Sequence, residues 1–174
     1  TPEIAKTFNK KKTSVIYNYP IIKCLQEAPK ATYKKTKPSV IYAGGLTSLR
    51  GIRELIISIG KLDGKAELWL IGPWESDTFQ KECEVLDGYK NTVYFGKIPL
   101  KKVYEYYKIA DIGAHTVYPS DRHLIGIPTK ILECMAIGMP VILTEGEYWK
   151  DFFKDTVKFV DALNPENIAQ NILS

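Results

Sequence analysis

Cysteine is scarce in this chain of 174 residues: only Cys24, Cys83 and Cys134, with no CxxC pair among them. An odd, widely spaced set builds neither a disulfide framework nor a zinc site, so a reducing cytoplasm is the expected setting. Arginine is scarcer relative to lysine, at three of 24 basic residues, which argues against a nucleic-acid partner. No apolar run approaches the roughly 20 residues that span a bilayer, and a transmembrane helix is excluded. Asp-x-Asp is absent, so a metal site of that type is not expected. The G-x-S-x-G elbow, the G-x-G-x-x-G fingerprint and the P-loop lysine and hydroxyl are absent too. The two histidines, His115 and His123, are not spaced as ligands with each other or with a cysteine. His115 is expected inside a strand and His123 in a loop before a helix, each with a local structural role. The chain opens on Thr1 without a charged-then-apolar leader, and reads as a piece of a longer polypeptide.

What is present is ordinary in amount: 45% hydrophobic and 25% charged residues, the balance of a soluble globular domain rather than a disordered one. Charge is unevenly placed. Residues 1–38 carry nine lysines against Glu3 and Glu27, a balance of +7, while residues 39–174 carry 15 basic and 18 acidic side chains, a balance of −3. The basic end suits a solvated lysine-rich surface, and secondarily a contact with anionic lipid or another domain.

Short β-rich runs alternate with helical segments, the pattern of a parallel sheet covered on both faces. Thr1-Pro2-Glu3 opens a short helix, Ser14 to Tyr17 is a first extended piece stopped by Asn18-Tyr19-Pro20, and residues 23–37 read as loop. From Ser39 the rhythm is regular. Strands are expected at Val40–Tyr42, Glu67–Ile71, Thr92–Phe95, Asp111–Val117, Pro140–Leu143 and Val157–Val160. Helices are expected at Ile52–Ile59, Asp77–Leu86, Leu100–Ile109, Pro128–Ile137 and Tyr148–Phe153, with a last one capped by Asn164-Pro165-Glu166. Six such units with short links make an α/β, Rossmann-like, doubly wound parallel sheet of about six strands.

In that fold, ligands bind at the carboxyl ends of the strands, where loops enter helix N-termini. The loop Gly44 to Gly51 offers two glycines for close backbone approach, and Arg50 at the start of a helix, where a phosphate would gain both dipole and cation. Taken alone it is no more than a glycine turn with a surface arginine. In the segment Ser120 to Glu133, Pro128 suits the first helical position, so the amides near Gly126, Ile127 and Thr129 would form an anion cradle. Lys130 then sits in the first turn, where the dipole disfavours a cation unless an anion is close. Glu133 lies one turn in, able to accept from a pair of ribose-type hydroxyls. Two further strand ends are weaker signals: Gly96 with the backbone of Ile98, which could edge a base, and Gly72-Pro73-Trp74, where Trp74 could stack on a ring or pack.

The ordered set YAGGLTSLRGI, ELWLIG, VYFGKIP, YYKIADIGAHTVYPS and GIPTKILECMAIGMPVI resembles the C-terminal domain of retaining GT-B glycosyltransferases, family 4 (glycosyl transferases group 1). The resemblance runs from about Val15 to the end, and PTKILECMAIGMPVI is its most specific part. It implies two Rossmann-like domains facing a cleft, the C-terminal one holding a nucleotide-sugar donor and the N-terminal one the acceptor. VIYNYP resembles the crossover between them. Residues 1–17 would then be the crossover from the missing acceptor domain, 18–38 a linker, and 39–174 the donor-binding domain.

By the same resemblance Glu133 would bind the donor ribose and Arg50 the diphosphate. Gly44 and Gly45 would lie against diphosphate and sugar, and Ile98 would contact the base. Two positions depart from the family pattern: Gly45 stands where many members have arginine, and Ile125 where the glutamate partner of Glu133 would fall. Lys130 is the candidate to supply the missing positive charge. The implied activity is transfer of a sugar from a UDP- or GDP-sugar to a hydroxyl acceptor with retention. It would need no metal and no cofactor, and catalysis would rest on Arg50, Lys130 and Glu133. Polysaccharide or glycolipid assembly is the implied setting, with the enzyme cytoplasmic or peripheral to the inner membrane face. Two alternatives share the fold: a nucleotide-sugar epimerase, and a non-catalytic nucleotide- or protein-binding module.

Overall fold

The computed structural model describes residues 2–119 and 126–174. Six strands form one parallel sheet in the order β3-β2-β1-β4-β5-β6: β1 Ser39–Ala43, β2 Glu67–Ile71, β3 Thr92–Tyr94, β4 Ile112–His115, β5 Val141–Thr144 and β6 Lys158–Val160. The order reverses between β1 and β4, which pair directly through Val40–Ile112 and Ile41–Gly113. Such a reversal leaves a crevice above the carboxyl ends of the two strands.

Side-chain alternation along the strands divides the interior into two cores. Val40 and Tyr42 of β1 and Leu68 and Leu70 of β2 enter one core. It is closed by α3 (Ile52–Lys61), α4 (Asp77–Glu84) and α8 (Pro165–Leu173). Ile41, Ala43, Trp69 and Ile71 enter the other, beneath α5 (Leu100–Tyr107), α6 (Thr129–Ala136) and α7 (Glu147–Phe153). Helix α3 shows why periodicity finds such elements: Ile52, Leu55, Ile56 and Ile59 fall on one stripe, and all are buried. Truncating one such aliphatic side chain to alanine costs about 2–5 kcal/mol. Helix α8 starts as its composition requires, with Pro165 in its first turn and Asn164 Oδ1 accepting from the amides of Glu166 and Asn167.

Several expectations need correction. A short helix, α1 (Pro2–Ala5), does form at the start, but Ser14–Tyr17 pairs with no strand among the described residues. Ile16 is 90% exposed, and β3 and β6 hold the two edges of the sheet. Residues 23–37 are not wholly loop, because α2 (Ile22–Glu27) lies there. Its Leu25 is fully buried in the second core, so one apolar anchor ordered a stretch whose lysines and prolines suggested none. Pro128 is the N-cap of α6 rather than its first residue, and Arg50 lies in a 3-10 turn, Ser48–Arg50, one residue before the Gly51 that caps α3. Among the described residues, no helix is long and apolar enough to cross a membrane.

A candidate nucleotide-sugar site at the strand reversal

Two adjoining cavities open at the carboxyl ends of the strands. The larger, about 820 Å³, is walled by the Gly44-Gly45 loop, Ile71-Gly72-Pro73, Lys97 and Ile98, the α5 side chains Tyr104 and Tyr107, and Thr129, Lys130 and Glu133 of α6. The smaller, about 370 Å³, is lined by Arg50, His115, Val117, Gly126, Ile127, Pro128, Thr129 and Lys130. Asn18, Thr129 and Lys130 border both. The larger volume lies in the range of small-molecule sites.

Backbone geometry brings the walls together. Gly72 has φ 143°, and a Cβ built there would sit 1.7 Å from the Gly44 carbonyl oxygen. Only glycine lets the loops after β1 and β2 approach so closely. The contact is tied by Gly44 N donating to Ile71 O at 2.8 Å and Gly72 N to Gly96 O at 2.9 Å. Gly96 therefore supports the wall without lining either cavity. Gly51 has φ 66°, and a Cβ there would meet the Thr116 carbonyl oxygen at 2.1 Å. Thr116 Oγ1 donates to Arg50 O at 3.3 Å, and Tyr118 N to Leu49 O at 2.9 Å. The turn carrying Arg50 is thus fastened to the end of β4, beside the strand reversal.

Lys130 borders both cavities, with Glu133 beside it in the larger and Arg50 in the smaller. A Cβ on Gly44 would meet Lys130 Cε at 3.0 Å and Nζ at 3.5 Å, so the lysine lies across the glycine loop. Burial lowers the Lys130 pKa; the Glu133 charge opposes that shift and the Arg50 charge adds to it. Burial raises the Glu133 pKa, against the lowering effects of Lys130 and of the bond from Tyr104. Glu133 is only 8% exposed, and Tyr104 Oη donates to its Oε1 at 3.2 Å. Two cations and one carboxylate across the two adjoining cavities leave an excess positive charge suited to a phosphate ligand. At the start of α6 no side chain caps the helix, so its first amides add donors on the same side.

Tyr42 supports the arrangement from below. Its Oη donates to Gly45 O at 3.1 Å, and burial pushes its pKa up to about 12, although the neighbouring Arg50 charge acts to lower it. On the far side, Trp149 Nε1 donates to Gly126 O at 2.7 Å, while its ring lies 5.8 Å from that of His115. His115 is buried at the end of β4 as expected, and it also faces the smaller cavity. Trp74 packs against Phe79 and Tyr94. Arg122, His123 and Ile125 lie outside the described residues.

Of the residues singled out from sequence, Gly44, Gly45, Gly72, Ile98, Thr129, Lys130 and Glu133 share the larger cavity. Arg50, Gly126, Ile127 and Pro128 share the smaller. Asn18, Tyr42, Tyr104 and Trp149 were not foreseen. For Tyr104 a signal existed: Val103, Tyr104 and Tyr107 form the buried stripe of α5, and a tyrosine on such a stripe brings a hydroxyl that needs a partner.

Comparison with known proteins bears on the family and the fold. A family model described as glycosyl transferases group 1 matches residues 26–174. No curated protein sequence matches the chain. Among solved structures, Anabaena HepE in complex with UDP-glucose is similar with a TM-score of 0.78 at 15% identity, over 98% of this chain and 49% of that one. The C-terminal domain of LpcC, a glycosyl transferase group 1 family protein from Francisella tularensis, gives 0.66 at 19% identity, over 85% and 84%. WaaG, a glycosyltransferase involved in lipopolysaccharide biosynthesis, gives 0.63 at 16% identity, over 81% and 39%. The chain therefore spans about half the length of HepE.

Proposed function

This chain belongs to the glycosyl transferases group 1 family, and we propose that it is the donor-binding half of a retaining family 4 enzyme. The enzyme transfers a sugar from a UDP- or GDP-sugar to a hydroxyl acceptor held by a second domain. The observation that carries this reading is Lys130 bordering two adjoining cavities at the reversal between β1 and β4, with Arg50 lining one and Glu133 the other. In this scheme the diphosphate lies across the Gly44-Gly45 loop, between Arg50, Lys130 and the first amides of α6. Glu133 accepts from the ribose, and the base lies along Ile98 in the larger cavity. Catalysis rests on positioning and on stabilising the departing diphosphate, with protein charges in place of a metal and no cofactor. HepE, crystallised with UDP-glucose over the same fold, supports a nucleotide-sugar ligand. WaaG, involved in lipopolysaccharide biosynthesis, supports a setting in polysaccharide or glycolipid assembly.

The test is calorimetric titration of the chain with UDP, GDP and a panel of their sugars, beside Arg50→Ala and Glu133→Ala. One nucleotide should bind, and each substitution should weaken it about ten- to hundredfold, the loss of a charge-assisted bond. Tight binding that neither substitution changes would remove the site from these loops. Without its acceptor domain the chain should bind donor but turn over little or none; full transferase activity from the chain alone would refute the division of labour.

A further inference from the structure

Tyr104 is absent from the set of residues that the family resemblance assigns, yet it makes a buried side-chain contact with a member of that set. Its hydroxyl donates to Glu133 Oε1 at 3.2 Å, across the gap between α5 and α6. Both residues are nearly closed to solvent and both line the larger cavity. Burial, with the Glu133 charge beside it, pushes the Tyr104 pKa up to about 12, so at neutral pH it keeps its proton and is a donor. A glutamate on a helix has three rotatable bonds, and a carboxylate that must meet two vicinal hydroxyls tolerates little rotation. A fixed donor on Oε1 selects one orientation of the carboxylate and leaves Oε2 and the remaining lone pair of Oε1 to the ligand.

We propose that Tyr104 is a positioning residue that sets Glu133 for recognition of the ribose diol, and through it the preference for ribonucleotide over deoxyribonucleotide. This rests on the donor-site reading above. A tyrosine whose only part is packing would leave that preference unchanged on losing its hydroxyl, because phenylalanine keeps the ring.

The experiment measures affinities of the chain for UDP, GDP and their 2′-deoxy counterparts in Tyr104→Phe, Glu133→Gln and Tyr106→Phe. The last removes a hydroxyl from the same helix, where the ring packs against Phe95 at 4.4 Å. Melting temperatures of all variants establish that each is folded. The unmodified chain should prefer the ribonucleotide roughly tenfold, the scale of a hydrogen bond to a charged group. Tyr104→Phe should reduce that preference at least threefold and Glu133→Gln should abolish it, while Tyr106→Phe keeps it. Full preference in Tyr104→Phe, with its loss in Glu133→Gln, would overturn the role of Tyr104 and leave the donor site standing. Unchanged preference in Glu133→Gln, or no binding of any nucleotide by the folded chain, would overturn the donor-site reading and this inference with it.

Discussion

Gly51→Ala joins the stability of this domain to its chemistry, since Gly51 both caps α3 and follows Arg50. Its φ of 66° lies in the left-handed region, where an alanine costs about 1–2 kcal/mol. The new Cβ would meet the Thr116 carbonyl oxygen at 2.1 Å, against a closest tolerated approach of 3.0 Å, so the turn must move by about 0.9 Å. That movement strains the bond from Thr116 Oγ1 to Arg50 O, 3.3 Å, which is worth about 0.5–1.5 kcal/mol. The sum is about 1.5–3.5 kcal/mol, equivalent to a fall in melting temperature of about 3–14 °C for a domain of this size. Arg50 moves with the turn, so nucleotide affinity should fall as well. Thermal unfolding followed by circular dichroism, beside calorimetric titration with UDP and GDP, reads both effects. Gly45→Ala is the internal control for the melting temperature alone, because a Cβ there meets only Thr47 Cγ2 at an ordinary 3.6 Å. If Gly51→Ala melted within about 2 °C of the unmodified chain and bound nucleotide equally well, the fastening of the Arg50 turn to β4 would be wrong.

Gly45→Arg, which adds a cation to the glycine loop, has the same open space and should raise nucleotide affinity several-fold, whereas Lys130→Met should lower it about tenfold; equal affinities across the three proteins would remove Lys130 from the phosphate contact. Asp111 accepts from Lys35 Nζ and Ser39 N at 2.6 and 2.7 Å, and although burial would raise its pKa, these bonds outweigh that effect and hold it below the usual carboxylate value. Its contribution is therefore present above about pH 4 and lost as pH falls through the lowered value. With part of the side chain exposed, Asp111→Asn should cost about 1 kcal/mol at pH 7 and progressively less as pH falls below about 4, as read by urea unfolding at each pH. A thiol reagent at neutral pH should modify one of the three cysteines quickly: Cys24 is exposed at the cavity rim, while burial pushes Cys83 up to about 11 and Cys134 up to about 12. Two fast-reacting thiols in the folded chain would contradict the packing of α4 or α6.

The strands and most of the helices were legible in the chain because their signals are local. An apolar run such as Leu68–Ile71 suits a strand buried on both faces, and the stripe of α3 repeats within ten residues. Helix α2 was missed because it rests on a single buried leucine inside a lysine- and proline-rich stretch, and burial is a property of the neighbours. Much of the lining of the candidate site was visible for the same local reason: glycines at strand ends, and a lysine and a glutamate three residues apart in the first turns of one helix.

The arrangement of those pieces was decided by the tertiary structure. Arg50 and Lys130 stand about 80 residues apart in sequence and meet only because the strand order reverses between β1 and β4. Tyr104 reaches Glu133 from 29 residues away, through the packing of α5 beside α6. Glu133 could have been a solvated helical glutamate by sequence; enclosure by the α5 tyrosines leaves it 8% exposed with a raised pKa. Local pattern determines which segments form and which faces they bury. Which polar tips then share a desolvated crevice depends on strand order, and strand order is not written in any short stretch of the chain.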